Sequence, residues 1–188
     1  MVEGTEELDN SQIEKLKEGN ISLIIEDYND LFSDFDPRSY SEKAISDDFL
    51  QECKRAARDK GDGENEELEL RILVPKKVRN LREEWKIKKR LKEHFSHHFR
   101  REEQLLEKTK RSGIKWVGFG VIILAGVLLG IIEFSGSTFG SLLNILEVPS
   151  WFLIWEGMGK ILIDSRKMHP EYEFYKKMSK AEVNFTEF

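Results

Sequence analysis

A single cysteine, Cys53, stands among 188 residues, so no intramolecular disulfide framework holds this chain together. No phosphate-binding glycine loop, nucleophile elbow, HExxH pair or catalytic triad stands out, which leaves no catalytic constellation to argue from. The opening MVEGTEELDN has neither a positive region nor an apolar core, so no cleaved signal peptide is expected. Positive charge is also scarce over the first 75 residues, with 9 basic against 21 acidic groups. What is present looks at first like a polar soluble protein of 22.0 kDa, with 35% charged residues and a mean hydropathy of -0.50. The charge content argues against a polytopic transporter, and 11% aromatics argue against a disordered tail. These averages conceal segregation. Residues 76–115 carry 15 basic and 6 acidic groups, whereas residues 116–188 carry 6 and 8.

The most pronounced segment is WVGFGVIILAGVLLGII, Trp116 to Ile132, which has no charged residue. With Ile114 and Phe134 it approaches the roughly 20 apolar residues of a bilayer-spanning helix. A buried core helix that is apolar all round would need a larger protein around it. A second apolar stretch, Thr138 to Ile163, is interrupted by Glu147, Pro149, Glu156 and Lys160. Proline suits a first helical turn, so Pro149 predicts a second span from about Val148 to Ile163, with Ser135 to Leu146 as a turn and interfacial segment. Trp151, Phe152 and Trp155 would lie near the membrane interface. Lys108, Lys110, Arg111 and Lys115 precede the first span, and Arg166, Lys167, Lys176, Lys177 and Lys180 follow the second. By the positive-inside rule both termini are expected to be cytosolic in a multi-pass protein of the cytoplasmic membrane.

The remainder reads as a small α/β domain. Ile21, Leu23 and Ile25 alternate, as do Leu68, Leu70, Ile72 and Val74, and each set suits one face of a strand. Between them a helix is predicted from Asp47 to Lys60, with Ser46 as N-cap, an inner stripe of Phe49, Leu50, Cys53, Ala56 and Ala57, and a terminating turn at Gly61–Gly63. A strand, helix, strand series of this length predicts a parallel crossover. After Pro75 a helix of roughly 50 Å is predicted from about Val78 to Lys110. Its apolar side would be Val78, Leu81, Trp85, Leu91, Phe95, Phe99 and Leu106, with a loosened junction at Gly113. KAEVNFTEF predicts a third strand that rejoins the sheet. The expected fold class is therefore an α+β membrane protein. Residues 1–112 would form the cytosolic α/β domain with its juxtamembrane helix, 113–164 an inserted transmembrane hairpin, and 165–188 a returning helix and strand.

DLFSDFDPRSYSEKAISDDFL (Asp30 to Leu50), LRILVP (Leu70 to Pro75), WFLIWEG (Trp151 to Gly157) and EFYKKMSKAEVNF (Glu173 to Phe185) are spread over most of the chain. On these segments the chain resembles an uncharacterised family of prokaryotic two-span membrane proteins. The resemblance implies a topology and no activity, ligand or catalytic residue.

Several constellations bear on function. Glu156, Lys160 and Asp164 follow at successive spacings of four and would stack on one helix face. They would form either a polar face lining an oligomer or a self-neutralising ladder, and the ladder is preferred because it needs no transported species. Gly118, Gly126 and Gly130 share a face of the first span, a small-residue seam that suits homo-oligomerisation. The aspartate-rich loop, including Asp30, Asp34 and Asp36, could offer oxygen ligands to a divalent metal, although it does not match the EF-hand spacing and most of its acids have turn and cap duties at hand. Phe32, Phe35 and Tyr40 among them suggest a loop that packs its aromatics. His94 and His98, with His97 between, could bracket a metal at a spacing of four. The basic run Lys76 to Lys115 fits anionic lipid better than nucleic acid, because it leads into an apolar span. Together these features predict a non-enzymatic, homo-oligomeric membrane assembly module with no required cofactor. The alternatives are a small channel or transporter subunit using Glu156 and Lys160, and a membrane-tethered metal-dependent enzyme using the aspartate loop.

Overall fold

A computed structural model describes residues 21–59, 68–133 and 138–188; of these, 59, 131–133 and 138–144 are described in backbone only. The turn expected at Gly61–Gly63 lies outside the described residues. The described elements are β1 (Ile21–Ile24), a 3-10 turn (Tyr28–Leu31), α1 (Asp47–Asp59), β2 (Glu69–Val74), α2 (Leu81–Glu133), α3 (Thr138–Gly159), a π-helical turn (Lys160–Asp164), α4 (Ser165–Lys180) and β3 (Glu182–Glu187). Their contacts divide into two compact units. The first holds residues up to Phe99 together with Phe174–Phe188, and the second holds Arg100–Glu173. These limits exceed the expected 113–164 insertion, because the helices on both sides of it continue in the same unit.

In the first unit, strand periodicity is realised as a three-stranded sheet in the order β1-β2-β3. Both pairings are parallel, with Ile21 opposite Leu70 on one side and Glu69 opposite Glu182 on the other. The central strand buries Leu70, Ile72, Leu73 and Val74, consistent with a parallel sheet covered on both faces. In α1, Asp47 and Asp48 occupy the first turn, and the helix turns Phe49 and Cys53 fully inward with Leu50, Ala56 and Ala57 beside them, the stripe its sequence predicts. Phe174, Tyr175 and Met178 of α4 complete one core with Ile87, Leu91 and Phe95 of α2.

The start and phase of α2 differ from the sequence expectation. The helix begins at Leu81 because the Asn80 side chain accepts the amide N–H groups of Arg82 and Glu83 at 3.1 and 3.4 Å. Leu81 and Trp85, expected on the inner face, are 74% and 66% exposed. The inward position one turn into the helix belongs instead to Glu84, only 4% exposed. Its Oε1 accepts from the Tyr28 hydroxyl and from Arg79 Nε, each at 3.0 Å, while the Asn80 amide donates to the Tyr28 hydroxyl at 2.9 Å. Arg79 also reaches Glu187 of β3 at 3.6 Å. A carboxylate so bonded can occupy the interior that an isolated one could not. Burial first, and then Glu84, push the Tyr28 hydroxyl above its ordinary pKa.

In the second unit, α2 continues without a break past Gly113, so no loosened junction occurs there. Gly113 is buried, and a β-carbon on it would lie 2.8 Å from the Gly157 carbonyl oxygen and 2.7 Å from Ile161. One on Gly120 would lie 2.8 Å from the Ser150 carbonyl oxygen and from Ile154. Rising numbers on α2 thus meet falling numbers on α3, and the two helices pack antiparallel with their backbones in close approach. Pro149 does not start this helix but sits inside it, which begins at Thr138. A proline inside a helix leaves a carbonyl one turn back without its amide partner, and next to it the buried Ser150 hydroxyl donates to the Leu146 carbonyl at 2.7 Å.

Replacing Glu84 with Ala removes the buried acceptor shared by the Tyr28 hydroxyl and the Arg79 guanidinium and should cost about 3 kcal/mol. Glu93→Ala, which removes an exposed ion pair with Lys89, should stay within about 0.5 kcal/mol. Thermal unfolding followed by near-ultraviolet circular dichroism in detergent micelles separates the two. Gly157→Ala should lower the unfolding midpoint in micelles, since its β-carbon would meet the Gly113 carbonyl oxygen at 2.6 Å. Gly126→Ala, with open space around it, should leave intrachain packing intact.

Candidate functional site

The second unit carries a surface with few polar outlets. Ile114, Trp116, Phe119, Val121, Ile122, Leu128 and Leu129 of α2 are exposed, as are Ile145, Val148, Trp151, Phe152 and Trp155 of α3. Among the described residues α2 is the one helix long and apolar enough to cross a membrane, with the apolar window inside Leu81–Gly130 and 17% of it buried. The sequence predicted two such spans. The second apolar stretch forms the helix α3, but a pair of acids and a proline interrupt it. Gly118 and Gly126 do not form the seam with α3, since both look onto open space. The helix pair closes instead on Gly113 and Gly120 of α2, seven residues apart, and on Gly157 of α3, a seam that the GxxxG pattern does not mark. Gly130 is half-buried.

Of the polar ladder, Glu156 and Lys160 are brought together, with Lys160 Nζ 2.9 Å from Glu156 Oε1. The regular spacing of four ends there. Residues 160–164 form a π turn in which the Ser165 amide and hydroxyl both donate to the Lys160 carbonyl, the hydroxyl at 3.2 Å. The extra residue of a π turn changes the helical phase, so Asp164 is not simply stacked above Lys160. Both instead line an open groove of about 570 Å³ with Lys108, Lys167, Thr109 and Ser112.

The aspartate loop is held by its own acids. Asp27 accepts from the Asn29 amide at 2.8 Å and Asp30 from the Glu26 and Asp27 amides at 2.9 and 3.0 Å, a reciprocal cap on the 3-10 turn. Asp36 accepts from the Ala44 amide at 2.7 Å and from Arg38, whose guanidinium holds this carboxyl well below the usual carboxylate range. Asp34 is exposed. Phe32 is buried and stacks on Tyr40 at 5.3 Å. Phe35, expected to pack with them, is 97% exposed, because the loop closes through the Phe32 to Ile45 bridge and the Asp36 bonds without it.

His94 and His98 do come together, with ring centroids 4.3 Å apart, and His98 stacks on Tyr175 at 5.0 Å. They line a groove of about 430 Å³ in the first unit, between α1, α2 and α4. Arg90 and Lys54 flank it, Asp47 and Gln51 stand at the α1 side, and Ala44, Ile45 and Leu50 complete the lining. His94 Nε2 is buried and has no hydrogen-bond partner. Burial foremost, and the neighbouring His98, Arg90 and His97, lower its pKa to about 4. Among the described residues no group of three or more His, Cys, Asp or Glu is placed to hold a metal, and Asp30, Asp34 and Asp36 are not joined to the histidines. The spacing of Arg90, His94 and His98 marks one helix face in the sequence, whereas Lys54, Tyr175 and Glu84 join their sites from segments far apart in the chain and carry no local signal.

Among known proteins the chain matches no family model, no curated protein and no solved structure.

Because the folded pKa of His94 lies below its ordinary 6.5, acid favours the unfolded chain. Its contribution to stability should be complete above about pH 6.5 and be lost as the pH falls from there towards about 4. The charged and titratable groups around it are His98, Arg90, His97, Lys54 and Asp47. His94→Gln should flatten the pH dependence of the unfolding midpoint over that window. Cys53 is buried and its thiol pushed up to about 12, so iodoacetamide should modify it only under denaturing conditions, as mass spectrometry would record.

Proposed function

We propose that this chain is a non-enzymatic integral membrane protein that assembles with copies of itself and displays an α/β interaction domain in the cytosol. The observation that carries this reading is the run of exposed large apolar side chains over α2 and α3 of the second unit, a concentration that a soluble monomer rarely leaves open to water. A lipid environment removes that cost. The second span runs from about Val148 to Ile163, within α3 and the π turn, with Trp151, Phe152 and Trp155 in its outer half. The basic residues before the first span and after the second set both termini in the cytosol of a multi-pass protein and draw anionic lipid rather than nucleic acid.

Self-assembly is supported by the glycines that the intrachain pair leaves unused. Gly118 and Gly126 face outward, where a neighbouring helix can approach the backbone closely. Lys160 and Glu156 neutralise one another within one helix, which favours a structural ladder over a channel-lining face. After carbonate extraction the protein should stay with the membrane pellet. Light scattering in detergent should give a protein mass that is a multiple of 22.0 kDa, falling on Gly118→Leu and Gly126→Leu. Release by carbonate would overturn the membrane placement, and a wild-type monomer would overturn the assembly.

A further inference from the structure

A second site lies in the first unit, and it stands apart from the membrane reading. The groove between α1, α2 and α4 has three properties of a small-molecule site. Its volume of about 430 Å³ falls within the range of ligand pockets. Its lining sets Ala44, Ile45 and Leu50 beside polar groups from separate elements: Arg90 and His94 from α2, Lys54 and Gln51 from α1, and the Tyr175 ring from α4. It also holds a buried ring nitrogen, His94 Nε2, that bonds to nothing in the protein. Such an orphan costs stability and is rare in a folded chain, so it asks for a partner that the protein itself does not provide.

The surroundings of that nitrogen select the partner's charge. Arg90 donates through Nε to the Lys43 carbonyl at 3.0 Å, which fixes the guanidinium beside the groove while engaging only part of its donor set. The Lys54 ammonium lies 5.4 Å from the Tyr175 ring centroid and 5.6 Å from that of Phe174, so its stem is held along the same wall. Asp47 opposes these cations at the α1 side, and the lining groups remain positive on balance. An imidazole whose Nε2 has no partner, lining the same groove as the Arg90 and Lys54 side chains, offers the kind of donor set that an oxyanion needs. The stacked His94, His98 and Tyr175 rings form one wall against which the body of the ligand can lie.

We propose that this groove binds a small oxyanion-bearing molecule, a phosphate or carboxylate compound, through Arg90, Lys54 and His94 Nε2. The full-length protein in detergent micelles is titrated with inorganic phosphate, and separately with acetate, against sodium chloride at equal ionic strength and pH 7.5. Thermal unfolding and the imidazole nitrogen resonances of His94 are read. Phosphate or acetate should raise the midpoint saturably and move the His94 Nε2 resonance, and the stronger of the two tells whether the groove takes a tetrahedral or a planar anion. Arg90→Gln and Lys54→Gln should each weaken the response about tenfold or more, the loss expected for a charge-assisted hydrogen bond. His94→Leu should raise the midpoint in chloride, because it removes the unsatisfied nitrogen, and should abolish the response to the oxyanion. A merely structural histidine would show the reverse, a lower midpoint on substitution and no response in the wild type. If neither anion shifts the wild-type midpoint or the His94 resonance beyond chloride, or if all three variants respond as the wild type does, the proposal is overturned.

Discussion

Everything in the first unit depends on β2 being hydrogen-bonded along both edges. A strand that buries Leu70, Ile72, Leu73 and Val74 points aliphatic side chains inward on both faces, and parallel neighbours can arrive only through long connections. One connection is α1, which brings β1 beside it. The other is the whole of the second unit, more than half of α2 included, after which β3 pairs with β2 from Glu69 to Val74. The chain must therefore come back to where it left, and the apolar helices have to occur as an insertion. An antiparallel helix pair meets that requirement.

That pair is held by different physics from the sheet. Many of its large apolar side chains are exposed, and the two helices meet through close backbone approach. Gly113, Gly120 and Gly157 permit the approach, and Ser150 supplies its own hydrogen-bond partner one turn back beside Pro149. The Glu156 to Lys160 pair follows the same rule in the charged case, with each group finding its counterpart on the same helix.

The first unit shows the two fates of a buried polar group. Glu84 is surrounded by donors, from Tyr28 and Arg79, which tie the loop after β1, the start of α2 and β3 into one network. That network sets the rotation of α2 and pushes Leu81 and Trp85 into solvent. His94, two turns and more along the same helix, is buried without a partner for Nε2. The first arrangement is what a fold needs; the second is the mark of a site, because a fold gains nothing from leaving a nitrogen unpaired.

Local patterns were enough to place the elements. Alternation at Ile21 to Ile25 and Leu68 to Val74, the stripe of α1, the uncharged run Trp116 to Ile132 and the alternation of the C-terminal strand all correspond to elements where expected, since period and capping chemistry act over a few residues. The same chemistry explains why the Asp27, Asp30 and Asp36 bonds agree with turn and cap duties. What sequence could not settle was every choice made between distant segments. Whether Glu84 or Trp85 points inward depends on Tyr28, Arg79 and β3. Which glycines form the helix seam depends on the register of α2 against α3, and a GxxxG pattern reports only that a face is small. The histidine pair was legible as a spacing, but its meaning changed once Arg90, Lys54 and Tyr175 were seen beside it and no third metal ligand among the described residues was. Sequence by itself determined the kinds of element, because those follow from side-chain periodicity. Only the tertiary structure decided partners, because a contact energy belongs to two residues and the chain does not write down the distance between them.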